Sequence, residues 1–148
     1  MIKLALLGKG IQHSRSPEIY QRLLVNKIQY DLLDYPNSSS IPKVEDLFKV
    51  YNGISITSPY KRHFLDQVKL TEQAEKLGAI NCIKQSSDGF YGENTDYSAI
   101  VEILKKLKSK HNGLRAIILG DGVMSNVTQA ALRELEIDFK LYSRKTTD

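Results

Sequence analysis

The chain has 148 residues, 41% of them hydrophobic and 26% charged, with a formal net charge of +4. That length and apolar content suffice for one core, or one core plus part of another, and describe a soluble globular protein. No apolar run nears the ~20 residues that cross a bilayer, and the opening MIKLALLG meets a glycine too soon for a secretory signal, so the expected compartment is the cytoplasm, without a membrane partner.

A single cysteine, Cys82, excludes an internal disulfide framework and offers no metal cluster. Its apolar setting, AINCIK, marks a small core residue, since such surroundings raise a thiol's pKa. The densest basic run, KKLKSK at 105–110, suits the last turn of a helix, where cations favour the dipole. No aromatic residues stud that run, which argues against nucleic-acid binding.

Strands and helices take turns along the chain. KLALLG (3–8) reads as a buried strand, and Pro17 suits the first turn of a helix reaching about Asn26, with Ile19, Leu23 and Leu24 on one face. IQYDLLDY (28–35) reads as a second strand and NSSSIP as a loop. An amphipathic helix follows, with Val44, Leu47, Phe48 and Tyr51 at helical spacing. GISIT is a third strand, ending at SPYK. A helix carrying Ala74 and Leu77 stops at Gly78, and AINCIKQ pairs with FYGEN across the turn SSDG. From Asp96 to Lys108, Ile100, Ile103, Leu104 and Leu107 define a further helix, which SKHNG breaks.

The remainder, LRAIILGDGVMSNVTQAALRELEIDFKLYSRK, is strand, glycine turn, helix, strand: one βαβ unit. After Arg115 the strand 115–119 is apolar, as for a central parallel strand covered on both faces. Gly120, Gly122 and Ser125 match G-x-G-x-x-G with a small serine in third place. The first glycine permits the turn, the second lets backbone N–H groups approach a pyrophosphate, and the helix N-terminus adds positive dipole. An NAD site would place an acidic residue after the second strand; here stand Ser143, Arg144 and Lys145, which favour a 2′-phosphate and hence NADP. The plainer alternative is ordinary charge at a strand end. Asp121 repels phosphates from inside the turn unless it points outward.

In an open α/β sheet, ligands sit beyond the carboxyl ends of the strands. HSRS follows the first strand, TSPYK the third and NTD the strand in the 90s, while Asn81 lies early in its own strand. Such convergence suits a polyhydroxylated or carboxylated ligand, which needs many fixed donors and acceptors.

GKGIQHSRSPEIYQ, GISITSPYK, LGAINC and YGENTD, in that order and at these intervals, resemble the N-terminal substrate domain of the shikimate dehydrogenase family, with its patterns G-x-P-I-x-H-S-x-S-P, N-V-T-x-P-x-K, G-A-x-N-T and G-x-N-T-D. The resemblance implies an α/β fold: a three-layer, mostly parallel substrate-binding catalytic domain over 1–98, then over 99–148 a linker helix and the first βαβ unit of an incomplete Rossmann-like NADP-binding domain. It implies reversible NADPH-dependent reduction of 3-dehydroshikimate to shikimate, on the way to aromatic amino acids. On the same ground Ser14 and Ser16 hydrogen-bond the substrate carboxylate, Thr57 and Asn81 hold ring hydroxyls, and Lys61 and Asp96 flank the carbon that exchanges hydride. Gly120, Gly122, Ser125, Ser143, Arg144 and Lys145 would hold the cofactor.

Each residue also has a plainer role. Ser16 can cap the helix at Pro17, Asp96 can cap the 96–108 helix, and Lys61 can be a solvated charge; the ordered set outweighs these readings. His13 is expected to orient the loop, and Tyr60 is a candidate cleft residue.

The chain also departs from the family pattern. Gly10 replaces proline, Ser55 asparagine and Cys82 threonine, and Asp121, Val123 and Met124 disturb a glycine- and alanine-rich turn. The shorter Ser55 opens the way to a relative such as quinate. Family members run longer, so the chain is expected to be the N-terminal part of a longer enzyme, or to pair with a second copy that covers the unfinished sheet. Two other functions stay open: a shikimate or quinate binder without turnover, favoured by Asp121, and a methylenetetrahydrofolate-type dehydrogenase, against which the paired serines and GENTD argue.

Overall fold

The computed structural model describes residues 1–24 and 27–144, in two compact units, Met1–Glu93 and Asn94–Asp148. The first unit contains β1 (Ile2–Gly8), α1 (Ser16–Leu23), β2 (Ile28–Asp34), α2 (Val44–Leu47), β3 (Gly53–Ile56), β4 (Lys69–Leu70), α3 (Glu72–Leu77), β5 (Cys82–Ser86) and β6 (Gly89–Glu93). Its sheet has the order β2-β1-β3-β5-β6-β4. β1 is parallel to β2 and β3, β4 is parallel to β6, and β5 runs antiparallel to both its neighbours, so the described sheet is mostly parallel.

Alternation along the strands builds a core on each face. Leu7, Ile54, Ile56 and Ile83 meet Val44 and Leu47 of α2, Phe64, and Ala74 of α3 on one side. Leu6 and Tyr30 meet Ile11 on the other, joined by Leu4 and by Tyr20 of α1. Helices therefore cover both faces, as a mostly parallel sheet requires. Fully burying side chains such as Phe64, Leu7 and Ile54 contributes about 1.5–3 kcal/mol each.

The helices differ in detail from their sequence patterns. Ile19 and Leu23 are 48% and 70% exposed, so the apolar stripe of α1 is not its packed face. The helix instead docks through Tyr20, stacked on Tyr30 at 4.8 Å, because so short a helix meets the sheet along one edge. The pattern Val44, Leu47, Phe48, Tyr51 forms a single helical turn that continues as non-helical turns. β4 is too short to carry a readable period. α3 does end at Gly78, in the left-handed region at φ +58°, and the Thr71 side chain caps it at the Ala74 N–H. β5 and β6 pair as expected.

The second unit contains α4 (Thr95–Lys110), β7 (Arg115–Leu119), α5 (Val123–Glu134) and β8 (Asp138–Tyr142). β7 and β8 are parallel and α5 crosses between them, with Ile118, Leu132 and Ile137 as the core. Tyr97 on α4 donates its hydroxyl to Glu134 on α5, and Lys108 donates to the Leu135 carbonyl. β7 is not covered on both faces: Ile117 and Leu119 are 69% and 81% exposed. The apolar run after Arg115 predicted two covering layers, but among the described residues of this unit the helices pack one side of the strand pair. No described helix is long and apolar enough to cross a membrane.

Two measurements check the packing. A Cβ at Gly8 would lie 2.5 Å from Thr57 Cγ2 and 2.6 Å from Ile11 Cγ2, so Gly8→Ala should destabilise the protein by about 1–3 kcal/mol in urea unfolding. An unchanged midpoint would contradict that packing. At the β5–β6 hairpin, the Tyr91 hydroxyl and the Lys69 ammonium bind the Asp88 carboxylate at 2.6 and 2.9 Å and hold its pKa down to about 2. The stability this contact gives is present above the ordinary carboxylate range and is lost as pH falls towards 2. Carboxyl NMR should place the Asp88 midpoint there, and a midpoint in the ordinary range would refute the contact.

Candidate active site

The carboxyl ends of β1 and β3 carry the first cluster. Parallel pairing sets Gly8 beside Asp34, the last residue of β2. The Asp34 carboxylate accepts the Gly10 N–H at 2.7 Å, the Ile11 N–H at 3.1 Å and the Gln12 amide at 3.4 Å. Gly10 sits at φ +64°, which a proline ring cannot adopt, and proline has no N–H to donate. Gly10 thus supplies both an N–H and a backbone conformation that proline could not.

Beyond the tether the chain turns through a Ser14 N–H bond to the Ile11 carbonyl at 2.9 Å. The Ser14 hydroxyl donates to Ser16 Oγ at 3.1 Å and accepts the Ser16 N–H at 3.3 Å. Both serines are half-buried. The N-cap of α1 is Arg15, without a side-chain cap, and Ser16 is already helical. The capping role expected of Ser16 is not made. His13 is exposed, and it is Asp34 that ties the loop.

The second cluster is laced to the first through the backbone. The Thr57 N–H donates to Leu7 at 2.9 Å and Lys9 donates to the Ser58 carbonyl at 3.4 Å, before a cis Ser58–Pro59 bond. The Ile56 N–H donates to Asn81 at 2.7 Å, and the Ile80 N–H to Lys61 at 2.8 Å. Thr57, Lys61 and Asn81 are thereby gathered at one end of the sheet. Lys61 is 6% exposed, which removes the reading of a solvated surface charge, because lysine is almost never buried without a partner. Tyr60 is a core residue whose hydroxyl donates to the Tyr35 carbonyl at 2.8 Å, not a cleft residue. Cys82 is half-buried in β5.

Asp96 lies in the second unit, in the first turn of α4. The capping task it was weighed against belongs to Asn94, whose side chain accepts the Tyr97 N–H at 3.3 Å.

The glycine turn lies in the second unit too. Gly120 follows β7 at φ +103°, and Gly122 is the N-cap of α5. Gly122 has no side chain with which to cap that end, and no acidic residue stands in the first turn. Ser125 is buried and accepts the Gln129 amide at 3.2 Å, in the packing place of the third small residue. Asp121 is exposed, Ser143 is buried at the end of β8, and Arg144 is exposed; Lys145 lies outside the described residues.

Sequence reasoning missed Asp34 and Gly8. An acidic residue ending an apolar strand beside a glycine-ended strand was the available signal, and the parallel register that gives it meaning was not readable.

Residues 6–83 match the family model described as the shikimate dehydrogenase substrate binding domain. A shikimate dehydrogenase (NADP(+)) of Clostridium botulinum is 29% identical over 91% of this chain and 54% of its own. The Thermus thermophilus shikimate 5-dehydrogenase, solved in complex with NADP(H) and shikimate, is 26% identical with a TM-score of 0.83 over 97% of this chain and 56% of that one. A Corynebacterium glutamicum quinate dehydrogenase solved with NAD is 25% identical, with a TM-score of 0.79 over 96% of this chain and 55% of that one. The chain thus spans about half the length of the relatives it matches. With the motifs in order, the sheet as expected and over half the sequence matched, the chain belongs to the shikimate dehydrogenase substrate-binding-domain family.

Proposed function

We propose that this chain is the substrate-binding part, with the start of the cofactor-binding part, of a shikimate dehydrogenase that reversibly reduces 3-dehydroshikimate to shikimate with NADPH. The observation that supports this reading is the buried Lys61, held by backbone bonds with Thr57 and Asn81 at the ends of β3 and β5, while the bonded Ser14–Ser16 pair follows the end of the neighbouring β1. The two serine hydroxyls donate to the substrate carboxylate, in charge-assisted bonds roughly twice as strong as neutral ones. Thr57 and Asn81 hold ring hydroxyls. Lys61 donates to the carbonyl oxygen and passes it a proton as alkoxide charge develops, and Asp96, carried over with the motif, is the second catalytic residue of the set.

NADPH, when bound, supplies the hydride. Gly120, Gly122 and Ser125 would form the turn that receives its pyrophosphate, and the positive φ of Gly120 with the acid-free first turn of α5 supports that fit. Ser143, Arg144 and Lys145 serve the 2′-phosphate. A second reading, a shikimate or quinate binder without turnover, is favoured by Asp121 within the turn.

Separate calorimetric titrations with shikimate, quinate and NADP, together with a turnover assay, test both readings. Binding of shikimate and NADP with measurable turnover is the expected result, and binding of an acid without NADP or turnover selects the second reading. Binding of neither acid overturns both. Lys61→Ala should lower turnover by about 10²–10⁴-fold while leaving shikimate affinity within a few-fold of its starting value. Full activity in that variant removes Lys61 from the chemistry.

A further inference from the structure

Behind the serine pair lies a polar atom that the chemistry above does not use. Tyr30, on β2, is 9% exposed, and its hydroxyl is fully buried without a hydrogen-bond partner. Burial raises the phenol's pKa, while the hydroxyls of Ser55 on β3 and Ser16 on α1 act on it in the opposite sense. Both are close enough to influence the phenol, and neither completes a hydrogen bond.

The fold fixes this arrangement. Tyr30 pairs with Leu4 and Ser55 with Leu6 across β1, so both side chains stand on the face covered by α1. Stacking on Tyr20 at 4.8 Å holds the ring beneath that helix. A buried hydroxyl left unpaired is destabilising, a penalty that phenylalanine at this position would avoid.

Resting on the proposed binding of a carboxylate by Ser14 and Ser16, we propose that Tyr30 is a positioning residue: its buried hydroxyl donates to Ser16 Oγ once the substrate carboxylate has drawn the two serine protons outward. A serine oxygen has one proton and two lone pairs. Without ligand, Ser16 Oγ takes the Ser14 proton. With a carboxylate in place, both serine hydroxyls donate to it, and the vacated lone pair of Ser16 accepts from Tyr30. Hydroxyls chained in this way polarise one another and strengthen the outer bond. Ser55, smaller than the family's asparagine, leaves the phenol its room.

The test is calorimetric titration of shikimate into the wild-type chain and the variants Tyr30→Phe, Ser16→Ala and Tyr30→Phe/Ser16→Ala, with a thermal melt of each. Tyr30→Phe should leave the ligand-free melting temperature unchanged or raised while weakening shikimate about tenfold. In the Ser16→Ala background the same change should shift affinity less than about twofold, because the relay is already cut. Tyrosine labelled with ¹³C at Cζ should report a shift of the Tyr30 signal on shikimate addition in the wild-type chain. Unchanged affinity in Tyr30→Phe, a lowered melting temperature, or equal losses in both backgrounds would overturn the relay while leaving the proposed function standing. No shikimate binding by the wild-type chain would instead overturn the proposed function, and the relay with it.

Discussion

The close approach of the β1 and β3 ends is the constraint from which the rest of the site follows. It exists because Gly8 has no Cβ: Thr57 Cγ2 and Ile11 Cγ2 occupy the space a methyl group would need. Parallel pairing then sets Asp34 beside Gly8, and its carboxylate turns the chain after β1 back over the sheet. Each serine of the pair depends on that turn for its position. A loop held only by its own residues would sample many conformations, at a cost of about 1–2 kcal/mol per residue fixed; the tether brings that ordering into the ligand-free protein.

A second consequence concerns charge. Burying Lys61 carries a desolvation cost, and proteins keep such a cost where the ammonium has work to do. The backbone around it is fixed by the Ile80–Lys61 and Ile56–Asn81 bonds, so the turn that carries Lys61 is held against the ends of β3 and β5. That placement favours precise orientation, the condition under which positioning contributes most to rate. The orphan Tyr30 hydroxyl fits the same pattern, a local sacrifice of stability beneath the helix that carries Ser16.

Much of this could be read from the sequence, and the failures have physical causes. β1, β3, α3 with Gly78, the β5–β6 hairpin and the strand–turn–helix at Gly120 all carry local signals: period, turn chemistry, positive-φ glycine. The α1 stripe of Ile19 and Leu23 misled because periodicity identifies an apolar face without saying what covers it. β7 misled for the same reason, its outward Ile117 and Leu119 being indistinguishable in sequence from buried residues. Asp34, Gly8 and Tyr30 were illegible because their roles are set by register across β1. The plainer roles weighed for Ser16 and Asp96, already outweighed by the ordered set of motifs, are filled by other residues, the N-caps being Arg15 and Asn94.

The most direct measurement is an amide NMR titration of the ¹⁵N-labelled protein with shikimate. The largest shifts should fall on residues 9–16, on 57–61 and on Asn81, the stretches that Asp34, Gly8 and the Ile56–Asn81 bond bring to one sheet end. Shifts confined to the second unit, or spread evenly over the surface, would contradict a binding edge built at the ends of β1 and β3.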